Sequence, residues 1–242
     1  MFPPEQNDDF GWYDVGRTDS SWLHTDQRPE KKGLHCIQGL LNLRKVNKGD
    51  STLSVLVGSH NFHEEFFEAT RNRTHGDWYK LRSDEERQFY IDRGCEQVCV
   101  EADEGSMIFW DSRTIHQGIA PSYGRAEANT RVAVYVCMMP RRVASLESLR
   151  IKRDAFRSLK MTNHWANEIV CFDDMPDAIT RFGKPMPDLA PAIVPKLTPL
   201  GLKLAGFDDE HSVEAPEPRH AKPMGFFGGP SYPTRGRGWS RK

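Results

Sequence analysis

No stretch of this chain is apolar for long enough to cross a bilayer as a helix. A helical span needs about 20 apolar residues, and runs such as VAVYVCMM at 132–139 stop well short of that. The opening residues, MFPPEQNDDFGWYD, are acidic and carry neither the basic n-region nor the apolar h-region of a secretory leader. An excess of one charge is also missing: 33 Lys and Arg stand against 34 Asp and Glu. The chain as a whole therefore has no electrostatic pull toward nucleic acid or membrane. Cysteines number five, and no Cys-x-x-Cys pair occurs. Cys36, Cys99 and Cys137 lie in apolar, strand-like runs, so they are expected to be buried small hydrophobes in a reducing compartment. Together these absences predict an intracellular, cytoplasmic protein with no membrane partner.

What is present is an ordinary globular balance, 38% hydrophobic and 28% charged. Residues 34–43 (LHCIQGLLNL), 52–57 (TLSVLV), 96–101, 106–110 (SMIFW) and 131–139 (RVAVYVCMM) have the short apolar character of strands, separated by turn signals such as Asp103-Glu104-Gly105. A helix is predicted over 61–70, where Phe62, Phe66 and Phe67 share a face. Another starts near Asp84 behind a Ser83-x-x-Glu86 capping box and stops at Gly94. A third, over 145–160, has Leu146, Leu149 and Phe156 at helical spacing. Strands linked by tight turns with few helices predict a mainly β protein, an antiparallel sandwich or jelly roll. The ordered domain is expected to occupy 1–207. Residues 208–242 are rich in Pro and Gly, lack an apolar period, and read as a disordered tail. Its basic end, with Tyr232 and Trp239 interleaved, offers at most a weak contact to RNA or an acidic partner, and a solubilising role is the simpler reading.

His24-Thr25-Asp26 is a His-x-Asp triplet. In an extended segment, residues i and i+2 point to one face, so an imidazole and a carboxylate converge. A second histidine from another strand completes the 2-His-1-carboxylate triad of non-haem iron(II) oxygenases. His116, in SMIFWDSRTIHQG, is the best placed, after one turn-delimited strand and before another. His35 and His164 read instead as core or interhelix hydrogen-bonders. His60 and His63 form a His-x-x-His pair explained by helix capping and surface placement. If the cosubstrate is 2-oxoglutarate, its far carboxylate needs a cation, best an arginine. Arg131, at the mouth of the strand after His116, suits that role, and Arg125, in a loop, is the second choice. Trp110, Ile115 and Tyr135 are expected in the core, with the pocket wall as the alternative.

The segments WLHTDQ, HCIQGLLNL, KGDSTLSVLVGSH, EGSMIFWDSRTIHQG and NTRVAVYVCMMPR, taken in that order over roughly 20–170, resemble the phytanoyl-CoA dioxygenase-like oxygenases. KMTNHWAN is similar to a stretch of some members. The resemblance implies a double-stranded β-helix, a jelly roll of cupin type, that hydroxylates a small organic substrate with iron(II), 2-oxoglutarate and O2, giving succinate and CO2. It implies His24, Asp26 and His116 as metal ligands, Arg131 on the far carboxylate of 2-oxoglutarate, Gln38 beside the cosubstrate, and Ser59-His60 in a structural turn. Only 23 residues precede His24, fewer than such proteins usually carry, so an N-terminally shortened fold is expected. The interval from His116 to Arg131 is long and predicts an extended loop. Rival expectations are a jelly-roll binding module without turnover, or a fragment of such an oxygenase, and a cupin-type metalloenzyme that uses no 2-oxoglutarate.

Overall fold

The computed structural model describes residues 22–74, 76–122, 129–160, 162–171, 180–181, 184–185 and 195–207. The tail from 208 and Arg125 lie outside these residues. The chain divides into two compact units, Met1–Pro140 with His164–Ala166, and Arg141–Asn163 with Asn167–Lys242.

The first unit is sheet-rich, antiparallel and carries two helices. Its strands are β1 (His24–Thr25), β2 (Ile37–Asn42), β3 (Thr52–Leu56), β4 (Tyr79–Lys80), β5 (Gln97–Cys99), β6 (Met107–Asp111), β7 (His116–Ile119) and β8 (Ala133–Met138). Five form one sheet in the order β4-β1-β7-β3-β5, and three form another in the order β6-β2-β8. Successive strands change sheet: β1, β2 and β3 alternate between the two, and so do β5, β6, β7 and β8. The strands expected from the sequence are all found; β2, β3, β5 and β8 are shorter by one to three residues at one or both ends, and β6 is shifted by one residue. The brief β1 and β4, and β7 at His116 itself, are additional; polar side chains such as His24 and Gln117 hide their period.

In the three-stranded sheet the register sets Gln38 beside Trp110 and Cys137, and Leu40 beside Ile108 and Tyr135. Because side chains alternate along a strand, Gln38, Leu40, Trp110, Tyr135 and Cys137 share one face. Arg131, two residues before β8, keeps the same parity. Tyr135 is 64% exposed rather than part of the core, whereas Ile115 is fully buried and Trp110 half-buried. Cys36 is buried as expected, but Cys99 is exposed, because β5 lies at the edge of its sheet.

Helices α1 (His63–Thr70) and α2 (Asp84–Ile91) supply the aromatic core of this unit. Phe66 and Phe67 fall on one face of α1 and meet Tyr79 and Tyr90, with Leu56 and Ile115 completing the cluster. Ser83 caps α2 by accepting from the Glu86 amide at 3.4 Å. The reciprocal half of the box differs from expectation. The Glu86 carboxylate accepts from the amide of Arg82, at 2.6 Å, and also from Tyr79 Oη and Asn72 Nδ2, at 2.8 and 2.7 Å. That carboxylate thus ties α2 to β4, which pairs with β1 at His24 opposite Lys80. His63 is buried, not a surface residue: its Nε2 donates to the Gln27 carbonyl at 2.8 Å.

The second unit holds α3 (Leu146–Arg157), α4 (Pro199–Leu204) and the short antiparallel pair β9 (Thr180–Arg181) and β10 (Lys184–Pro185). Ser145 caps α3 and Thr198 caps α4, each accepting an amide at 3.0 Å. Gly206 has φ +90°, and a Cβ there would stand 2.7 Å from the Leu149 carbonyl oxygen, so only glycine fits. No described helix is long and apolar enough to cross a membrane.

Candidate metal centre

Strand pairing assembles this site. β1 lies between β4 and β7, and its His24 is the direct cross-strand partner of His116. The two rings stand 4.4 Å apart, centroid to centroid. Asp26 reaches them differently from expectation. It lies past the end of β1, in a bend, rather than two residues along a continuous strand. Two bonds to one carbonyl fix the bend: the Asp26 amide and Thr25 Oγ1 both donate to Ser112 O at 3.1 Å.

Gln27 then locks the following turn. Its Nε2 donates to the carbonyls of Lys31 and Gly33, at 2.6 and 2.9 Å, and its Oε1 accepts from Ser112 Oγ at 2.8 Å. The opposite wall is held by Ser59, whose hydroxyl accepts from the Ile115 amide at 2.8 Å, immediately before His116. Ser59, which the resemblance places with His60 in a structural turn, thus holds the backbone beside His116. Gln27 and Ser112 were not anticipated, since polar residues in loop-like sequence give no sign of burial. Gln27→Ala leaves the carbonyl of buried Lys31, the carbonyl of half-buried Gly33 and the buried Ser112 hydroxyl without their partner, and unsatisfied buried groups cost about 1–3 kcal/mol each. The expected outcome is a loss of roughly 2–4 kcal/mol in denaturant unfolding, with weaker metal retention, while Gln88→Ala on the surface of α2 changes neither.

The two imidazoles are oriented for coordination through Nε2. His24 Nδ1–H donates to the Trp22 carbonyl at 3.0 Å, and His116 Nδ1–H to the Thr114 carbonyl at 2.9 Å. A carbonyl on Nδ1 leaves the lone pair of a neutral ring on Nε2. Those Nε2 atoms lie 3.7 and 3.3 Å from Asp26 Oδ1 and Oδ2. Burial first, and then the neighbouring His116, lower the pKa of His24 to about 4, so its ring is neutral near pH 7. Burial alone would raise the carboxyl of Asp26. The hydrogen-bonding contact of His116 and the facing histidines outweigh it and hold Asp26 below the usual carboxylate range. Two Nε2 atoms beside one buried carboxylate make a compact set of donor atoms aimed at one point. One donor atom from each of His24, Asp26 and His116 lies within 4.8 Å of the others, so the triad could hold a metal ion.

The chain is 33% identical over 161 residues to the Ava biosynthesis cluster protein O of Aspergillus versicolor, a match covering 62% of this chain and 51% of that protein. The chain thus spans about half the length of that curated relative. Among solved structures, GlcNAc Inducible Gene 2, a DUF1479 protein of Candida albicans, aligns over 51% of this chain and 31% of its own, at 19% identity and a TM-score of 0.34. No protein-family profile matches the chain.

The remaining expected residues are also accounted for. Gln38 contacts the Asp26 carboxylate itself, its Nε2 donating to Asp26 Oδ2 at 2.8 Å, while its Oε1 is buried with no hydrogen-bond partner. Arg131 Nη2 reaches Tyr135 Oη at 3.3 Å. Tyr135 sits opposite Leu40, two residues along β2 from Gln38, so the guanidinium leans back toward the Gln38 end of the sheet. Arg131 Nε and Trp110 Nε1 are likewise buried without a partner. Aromatic rings flank the centre: Trp22 stacks on His24 at 4.5 Å, Trp78 stands 5.8 Å away, and Trp110 lies 5.4 Å from His116. His35 bonds only to the Lys32 carbonyl in its own loop. His164, expected to be a core or interhelix hydrogen-bonder, faces Asp26.

Proposed function

We propose that this chain is an iron(II)- and 2-oxoglutarate-dependent oxygenase of the phytanoyl-CoA dioxygenase-like type, hydroxylating a small organic substrate. The observation that carries the reading is the buried His24–Asp26–His116 set, with both Nδ1 atoms committed to backbone carbonyls and both Nε2 atoms turned to the carboxylate. Two imidazoles and one carboxylate with open positions are the donor set of non-haem iron(II) oxygenases. A jelly roll is supported by strands that change sheet in turn, with His24 and His116 on adjacent strands of one sheet.

The cosubstrate assignment rests on the neighbouring face. Arg131 Nε, Trp110 Nε1 and Gln38 Oε1 are buried and unpartnered, on strand positions of one parity. Buried polar groups normally find partners, and the two donors, Arg131 Nε and Trp110 Nε1, suit the acceptor oxygens of a small dicarboxylate, whereas Gln38 Oε1 calls for a donor such as water or substrate. Iron(II) with bound 2-oxoglutarate and O2 supplies the oxidising power for C–H hydroxylation. The chain's own residues hold the donors in one orientation, offer a guanidinium to a carboxylate, and wall the centre with Trp22, Trp78 and Trp110. The relative's place in a biosynthesis cluster is compatible with a small-molecule substrate.

Anaerobic titration with iron(II) and then 2-oxoglutarate tests the reading through the visible metal-to-ligand charge-transfer band. A band that appears at one equivalent of each, followed by O2-dependent succinate formation, is the expected outcome. Stoichiometric iron without a band refutes the cosubstrate and favours a binding module or a cupin-type metalloenzyme.

A further inference from the structure

A third histidine faces the carboxylate from a distant part of the chain. His164 Nε2 lies 3.5 Å from Asp26 Oδ1, across 138 residues of sequence. That nitrogen is buried and has no hydrogen-bond partner, although 43% of the His164 side chain is exposed. One edge of the ring is therefore turned in to Asp26 while the rest looks outward.

The segment carrying His164 is anchored in the first unit. Trp165 is only 2% exposed, and the Lys31 ammonium sits 3.4 Å above its ring. Lys31 is itself held by Asp77, Nζ to Oδ2 at 3.0 Å. Cys36, one residue before β2, donates its thiol to the His164 carbonyl at 3.6 Å. The loop closes on itself through Asn163: its amide donates to the Val170 carbonyl at 3.0 Å, and its Oδ1 accepts the Val170 amide at 3.1 Å. A side chain on a segment held at so many points is placed rather than drifting.

Each oxygen of Asp26 then faces one histidine of the triad and one further polar side chain. Oδ2 meets His116 and accepts from Gln38, while Oδ1 meets His24 and His164. His164 falls outside the group whose donor atoms all lie within 4.8 Å of one another. We infer that His164 is a positioning residue of the metal centre: its Nε2–H donates to Asp26 Oδ1 and, opposite Gln38, fixes the plane of the ligand carboxylate. Outer-shell partners of this kind orient ligands and tune the metal. The inference rests on the metal-centre reading above, but not on the identity of the cosubstrate.

The test uses Co(II) alone as the probe, titrated into the full chain under anaerobic conditions, with His164→Gln and His164→Leu compared with the parent. Both keep side-chain bulk, and only glutamine can donate to Asp26. The expected result is a Kd for Co(II) about 10–100-fold weaker in His164→Leu, largely restored in His164→Gln. The ligand-field absorption keeps its intensity throughout, because no directly bound nitrogen is lost. Equal affinity in the parent and both variants overturns the inference. So does equal weakening in both variants with a lowered Tm, which marks a packing role. A change in band intensity in both variants also overturns it, because His164 is then a ligand. A parent that binds no Co(II) overturns the metal centre itself and this inference with it. A parent that binds Co(II) but shows no iron–2-oxoglutarate band overturns only the cosubstrate.

Discussion

Asp26→Asn is expected to remove metal binding while the protein stays folded. The carboxylate is the charged member of the donor set, and it is the atom group on which His24, His116, Gln38 and His164 all converge. Asparagine keeps the shape but presents one neutral oxygen and an NH2 that opposes the amide of Gln38. The loss should exceed the roughly 10–100-fold typical of an outer-shell partner. Thermal unfolding with and without metal checks it. For the parent, metal at about 100 times its Kd stabilises by about 2.7 kcal/mol, which is a Tm shift of about 5–10 °C for a chain of this size. The expected shift for Asp26→Asn is nil, and for His116→Ala likewise, with succinate formation abolished in both. Full metal-induced stabilisation in His116→Ala would show that another nitrogen serves in its place.

The second large effect is expected at Arg131. Its guanidinium leans on Tyr135, and its Nε is buried and unpartnered. A dicarboxylate gripped there gains a charge-assisted, fork-shaped contact that lysine cannot copy. Removing one partner of such a pair costs about 2–5 kcal/mol. Arg131→Ala should thus raise the concentration of 2-oxoglutarate needed for half-maximal band formation by roughly a hundredfold or more, and Arg131→Lys should recover only part of it. Iron(II) affinity without cosubstrate should not change, which separates this arginine from the triad. An unchanged 2-oxoglutarate requirement would remove Arg131 from the site and leave the far carboxylate to another cation.

The triad itself could be found from the sequence because its parts sit at short range or beside strong period signals. His24 and Asp26 are two residues apart, and His116 follows an apolar strand and a turn. The aromatic face of α1 was equally visible, since Phe62, Phe66 and Phe67 repeat at helical spacing. Polar groups buried by tertiary structure were not visible in this way. Gln27 satisfies two carbonyls and one hydroxyl inside what reads as a loop, and His63 bonds to the Gln27 carbonyl from a helix end that reads as surface. Tyr135 and Cys99 erred in the opposite direction: both lie in apolar runs, yet both are exposed. An apolar run reports strand character, but not which face meets the interior.

The sequence alone thus determined a mainly β chain, the positions of five strands and three helices to within a few residues, and the three side chains of the candidate metal centre. These follow from local periodicity and from the chemistry of residue types, both of which act over short stretches. The tertiary structure decided the rest. It set His24 opposite His116 by strand pairing, bent Asp26 back through the Ser112 carbonyl, and fixed both imidazoles by their Nδ1 bonds. It also brought His164 to a carboxylate 138 residues away. Contacts of that range depend on how the whole chain packs, and no local pattern encodes them.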